Sequence, residues 1–157
     1  MFHSMRKINL ALKENEIEKI LLESEYGVLG TISKNGYPYT VPISYVFIDD
    51  SIYFHGSTSG HKIENINENN KVSFTIVSNT KVLPSKFTTE YDSVIIFGTA
   101  CVATEAEKKK ALDKFICKYS PEYLSEGAEY IRKASHLTNV IKISIDHITG
   151  KSYKGNK

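Results

Sequence analysis

Residues 26–47 read YGVLGTISKNGYPYTVPISYVF, two apolar runs on either side of the dipeptide Asn35-Gly36. Asn-Gly is the pair that best satisfies the positive φ angles of a type I′ turn, so the segment is expected to fold as a β-hairpin about it. In the second arm Tyr37, Tyr39, Val41, Ile43, Tyr45 and Phe47 fall on one face, an alternation of period two that only a strand uses well. Asp49-Asp50 then turns the chain into a third strand, SIYFH. Further along, KVSFTIV (71–77) alternates again through Val72, Phe74 and Ile76. SVIIFGTACVA (93–103) is long and β-rich, with Gly98 marking a bulge or a close approach. Five strands at meander spacing suggest a barrel, and NVIKISI (139–145) adds a sixth.

Helices fill the remainder. ENEIEKILLES (14–24) places Ile17, Ile20 and Leu21 at helical spacing, with Asn15 expected as its N-cap. A capping box from Thr104 to Glu107 starts a helix carrying Leu112, Phe115 and Ile116, and Ser120-Pro121 starts another carrying Tyr123, Leu124, Gly127 and Ile131. The sum is an α+β domain built on an antiparallel barrel.

Composition narrows the function classes. The 157 residues suit a single domain, 1–157, in which Met1 to Ser4 is an expression scar or Met5 an alternative start. A hydrophobic fraction of 41% and a charged fraction of 24% are ordinary for a globular protein, and no apolar run approaches the roughly 20 residues that cross a bilayer. With no secretory h-region either, a cytoplasmic location is the default. A net charge of +2 is too balanced for a nucleic-acid footprint, and Lys108 to Lys110, among Glu105 and Glu107, read as the solvated face of a helix. Cys101 and Cys117 have no metal spacing and are read as small buried hydrophobes. His3, His136 and His147 are read as ordinary surface or core histidines.

Two features point toward a ligand. Pro38 and Pro42 both remove N–H donors from one edge of the second strand, so that edge cannot be fully laddered. Either they blunt an exposed edge against aggregation, or the edge around Pro42 to Tyr45 leaves main-chain groups for another partner. The second feature is YFHGSTSGHK (53–62), followed by Ile63 and Ile66 at helical spacing. A short helix should begin near Ser59 or Gly60, which puts Lys62 in its first turn, where the helix dipole disfavours a cation. Either Lys62 extends into water, or an anion such as phosphate is held there by first-turn N–H groups, the hydroxyls of Ser57, Thr58 and Ser59, and the Lys62 ammonium.

GVLGT, NGYPYTVPISYVF, IYFHGSTSGHKIENI, VSFTI, YDSVIIFGTA and the late GK resemble, in order and spacing, the flavin-binding split-barrel proteins related to pyridoxamine 5′-phosphate oxidase. Within that group the pattern is most similar to the nitroimidazole-resistance (Nim-like) proteins. The resemblance spans about residues 6 to 151 and implies a six-stranded antiparallel split β-barrel of Greek-key type with flanking helices. It also implies a homodimer with one FMN at each of two interface sites. Lys62, His61 and Ser57 would hold the FMN phosphate, and Val41, Pro42, Ile43, Ser44 and Tyr45 would run along the isoalloxazine ring. His55 and Gly56 would lie near the flavin or substrate, with His55 as the candidate catalytic group. Tyr91, Ser93 and Val94 would approach from the partner subunit.

The chain has no Trp and ends GKSYKGNK, whereas pyridoxamine-phosphate oxidases carry a Trp- and Arg-containing terminal segment, so vitamin B6 oxidation is not the expected activity. The expectation is an FMN-dependent oxidoreductase that takes electrons from NAD(P)H, docked transiently because no Gly-x-Gly-x-x-Gly occurs, and passes them to a small nitroaromatic or quinone-like acceptor. The alternative is a protein that carries flavin or haem without turnover. A metal at His55 and His61 is the weaker reading, since no third ligand lies at suitable spacing. The dimer is expected on a further ground: Tyr37, Tyr39, Tyr45 and Phe47 present more aromatic surface than a small barrel covers.

Overall fold

A computed structural model describes residues 2–155; of the Met1-to-Ser4 segment, Met1 lies outside the described residues. The elements in chain order are α1 (Glu14–Glu23), β1 (Tyr26–Ile32), β2 (Pro38–Ser44), β3 (Val46–Ile48), β4 (Ser51–Gly56), α2 (His61–Glu68), β5 (Lys71–Leu83), β6 (Thr88–Val102), α3 (Glu105–Tyr119), α4 (Leu124–Ala134) and β7 (Asn139–Tyr153). Seven strands form one antiparallel sheet in the order β2-β1-β5-β6-β7-β4-β3. Its two edge strands are consecutive in sequence, separated by Tyr45 alone. The sheet must therefore curl until its edges meet at that residue. The run expected as one strand changes partners there, from β1 to β4, which is why seven strands are found where six were expected.

The alternation that defined the hairpin is present. In β2 the odd-numbered residues are half-buried and the even-numbered ones exposed. The turn differs. Only Gly36 has a positive φ, 85°, and its N–H donates to Ser33 while Ser33 N–H donates to Tyr37, so the connection is a longer loop closed by a left-handed glycine. The two-residue turn with both φ positive lies instead at Asp49 (47°) and Asp50 (56°), between β3 and β4. Gly98 marks a close approach beside a bulge: the partners pass from His147 at Phe97 to Ile145 at Gly98, leaving Asp146 of β7 as the extra residue.

The interior of the curl is one apolar cluster in which Leu29, Tyr45, Ile52, Phe54, Phe74, Ile76, Val94, Ile96 and Ile143 meet Ile20 and Leu21 of α1. A second cluster lies outside, where Ala111, Leu112 and Phe115 of α3 cover Val46, Tyr53 and Val140. Strand β4 is thus buried on both faces, Ile52 and Phe54 inward and Tyr53 toward α3.

Three local expectations are corrected. The N-cap of α1 is Lys13, not Asn15, because its backbone N–H is taken by the Glu16 carboxylate at 2.8 Å. Cys101 and Cys117 are both exposed, not buried. The aromatic surplus expected of the second strand is absent: Tyr45 is fully buried, Phe47 packs against the inner cluster and Tyr39 stacks on His61, leaving Tyr37 exposed.

Candidate functional site

Helix α2 begins where the sequence placed it, with Gly60 as N-cap at φ 117° and no side chain to cap the first turn. Lys62 sits in that turn and folds back over Gly56; a Cβ on Gly56 would lie 3.6 Å from Lys62 Cε and 3.7 Å from Nζ. Among the described residues the Lys62 ammonium has no carboxylate within ion-pair distance. A cation thus lies unpaired at the positive end of a helix dipole, beside uncapped backbone donors. Ser57 bends the approach, its Oγ accepting from Ser59 N–H at 3.3 Å.

His61 is engaged elsewhere. Its Nε2 is 2.9 Å from Ser33 Oγ, and its ring lies 4.1 Å from that of Tyr39. Asn65, 4% exposed, donates to Thr31 Oγ1 at 2.9 Å and Ser33 Oγ at 3.3 Å. With Thr31, Ser33 and Asn65 buried and His61 at its exposed end, these side chains form a polar relay that fastens α2 to the β1–β2 hairpin. Sequence reasoning missed Ser33, Thr31, Asn65 and Tyr39 because a polar pair 28 or more positions apart leaves no periodic signal. The consequence for the site is that His61 orients the helix start while Lys62 lies over Gly56.

Strand β2 borders the same region. It pairs only with β1, and the Ser33–Tyr37 bond sets the ladder parity so that Tyr39, Val41 and Ile43 bond inward to β1. Outward, therefore, point the N–H groups of Thr40 and Ser44 and the carbonyls of Pro38, Thr40, Pro42 and Ser44, the two prolines having no donor to offer. Tyr45 does not extend this open edge. Its N–H donates to the Tyr119 hydroxyl at 2.9 Å, its carbonyl accepts from Lys118 Nζ at 3.1 Å, and its own hydroxyl donates to Leu21 O at 2.8 Å. Burial raises the Tyr45 phenol well above its ordinary value, and burial together with Lys114 brings the Lys118 amine down to about 8.

His55 stands on the other side of β4. Although exposed as a residue, its ring meets Phe115 edge-on at 4.5 Å, and that partial burial holds its pKa below the usual value. It does not share partners with His61. Tyr91 and Ser93 lie on the outer face of β6, where Lys151 Nζ donates to the Tyr91 hydroxyl at 2.6 Å. Val94 points into the core and is fully buried. Strands β1 and β5 separate β6 from β2, so one chain does not bring Tyr91 and Ser93 to the open edge. His147 stacks on Phe2 at 4.7 Å, with its Nε2 buried and without a partner among the described residues. No helix among the described residues is long and apolar enough to cross a membrane.

Antiparallel sheets that curl until a single bent strand joins their edges, with helices packed against them, make a recognisable class of α+β fold, and sequence decides the member. The chain belongs to the pyridoxamine 5′-phosphate oxidase family, whose model matches residues 13–152. No curated protein matches the sequence significantly. Among solved structures, a candidate 5-nitroimidazole antibiotic resistance protein from Bacteroides thetaiotaomicron is 26% identical with a TM-score of 0.77, over 90% of this chain and 86% of that one. An FAD-binding protein from Mesorhizobium loti is 19% identical with a TM-score of 0.68, over 92% and 97%. An FAD and heme binding protein from Mycobacterium smegmatis is 20% identical with a TM-score of 0.79, over 91% and 72%.

Proposed function

We propose that this is a flavin-binding protein that uses FMN, and that it acts as an oxidoreductase passing electrons from NAD(P)H to a small acceptor such as a nitroaromatic. The observation that carries the reading is the unpaired Lys62 in the uncapped first turn of α2, next to an open strand edge. A phosphate satisfies the ammonium and the backbone donors together. The outward carbonyls and N–H groups of Thr40 to Ser44 suit the polar rim of a planar heterocycle lying along β2. Bound there, the flavin supplies the electron transfer. Lys62, Gly56 and Ser57 hold its phosphate end, and the β2 edge orients the ring. The names of the structurally similar proteins support the flavin, and one supports the nitroaromatic acceptor.

The same reading includes a homodimer. Tyr91 and Ser93 reach the β2 edge only from a second chain, and the outer face of the sheet exposes Ile32, Val77, Ile95 and Phe97, which a neighbour would cover.

Titration of FMN and riboflavin against wild type and Lys62→Ala is the test. Losing one charge-assisted contact worth about 1.5–3 kcal/mol should weaken FMN by roughly ten- to a hundredfold. Riboflavin, without a phosphate, should bind both proteins alike, and the variant should fold as wild type because the lost cation opposed the helix dipole. FMN affinity indifferent to Lys62 would put the phosphate elsewhere. Anaerobic stopped-flow mixing of the FMN-loaded protein with NADH or NADPH should bleach the flavin; absence of reduction selects a carrier without turnover, and a Soret band in the purified protein selects haem.

A further inference from the structure

At the seam where the curled sheet closes, a single hydroxyl holds both edges. Tyr119 Oη, at the last residue of α3, accepts from Tyr45 N–H at 2.9 Å and lies 2.8 Å from Tyr45 O and 2.5 Å from Glu25 O. Its one proton serves one carbonyl at a time, and Lys118 Nζ supplies the second donor to Tyr45 O at 3.1 Å. The ammonium also lies 4.1 Å above the centre of the Tyr45 ring. Tyr45 itself is immobilised by burial and by its bond to Leu21 O. Without these contacts the Tyr45 N–H and C=O, released from both β1 and β4, would be buried and unpaired.

Ser44, the last outward donor of the β2 edge, is bonded directly to Tyr45, so where the clamp holds Tyr45 fixes where that edge ends. We infer that Tyr119 and Lys118 are positioning residues for the flavin, acting through the backbone of Tyr45 to set the place of the Ser44 N–H and C=O against the ring. This rests on the flavin reading above, and it separates the two ends of the site: Lys62 answers for the phosphate, the α3 terminus for the ring.

The variants Tyr119→Phe and Lys118→Met are titrated with FMN and riboflavin, and hydrogen exchange at the Tyr45 amide is followed in the flavin-free proteins. Both variants should weaken FMN and riboflavin by the same factor, several-fold for Lys118→Met and more for Tyr119→Phe, leaving the FMN-to-riboflavin preference at its wild-type value. The visible band of the bound flavin should shift, which loss of global stability would not cause, and the Tyr45 amide should exchange faster. Should Tyr119→Phe fail to fold, Lys118→Met, which leaves the hydroxyl in place, decides alone. Wild-type affinity and an unshifted band in Lys118→Met would overturn the inference even with faster exchange. Failure of the wild type to take up either flavin would instead remove the site itself, and the positioning role with it.

Discussion

Single residues decide this fold where backbones come too close for a side chain. Gly98 is the clearest case. A Cβ there would lie 2.5 Å from the carbonyl oxygen of Ser144 and 2.6 Å from Ile143 Cγ2, and neither the bulge nor the neighbouring strand can yield without losing ladder bonds. Gly98→Ala should therefore cost about 1–3 kcal/mol, read as a lowered denaturant midpoint with an unchanged slope. Gly98 was legible in sequence because a glycine inside an apolar strand run has few other reasons to be there. Lys62 was legible for a related reason, as a cation placed against the local field. Tyr45 was not, since its part in breaking the strand comes from Leu21, Lys118 and Tyr119, all distant in sequence.

Helix α3 was marked by its capping box, and the structure gives that box a second task. Thr104 Oγ1 accepts from Glu107 N–H, Glu107 accepts from Thr104 N–H, and the same carboxylate takes Lys142 Nζ of β7 at 2.7 Å. The Lys142 contact first, then the Thr104 backbone and hydroxyl, hold the Glu107 carboxyl down to about 2 against an ordinary 4.5. A carboxyl depressed in the folded state leaves the unfolded chain binding more protons between those values. Its contribution is complete above about pH 4.5 and is lost as pH falls toward 2. Glu107→Gln should flatten the acid limb of stability across that window and leave its neutral limb's shape unchanged, measured as melting temperature against pH. The strands show where such signals end. β5 and β6 run on to Leu83 and from Thr88, beyond the apolar alternation, because residues 78–92 pair as a long hairpin with much of both faces solvated around a left-handed Asn79. A strand without a buried face has no period to read.

At the scale of the whole molecule, closure and association are separate questions. Closure follows from sequence continuity, since β2 and β3 are the two edges of the sheet and also neighbours in the chain. The proposed dimer, expected in sequence from the aromatics of the second strand, rests in its proposed form on the outer face instead. The aromatics of the second strand are mostly consumed internally, whereas Ile95 (40% exposed), Phe97 (41%), Ile32 (42%) and Val77 (59%) stand outward across β1, β5 and β6. Such residues on the convex outer face of the curled sheet suit a self-complementary contact of the usual size, about 800 Å² per partner. Ile95 faces out between Thr75 and Thr149, so Ile95→Glu should change the stability of the isolated fold by no more than about 0.5 kcal/mol. Repeated by two-fold symmetry, however, its carboxylate would be desolvated at the centre of the interface. Sedimentation at low micromolar concentration should show wild type as a dimer and Ile95→Glu as a monomer. FMN affinity should fall in parallel, because the monomer loses Tyr91 and Ser93 of the neighbouring chain. A wild-type monomer that still holds FMN tightly would defeat both the dimer and the role of those two residues.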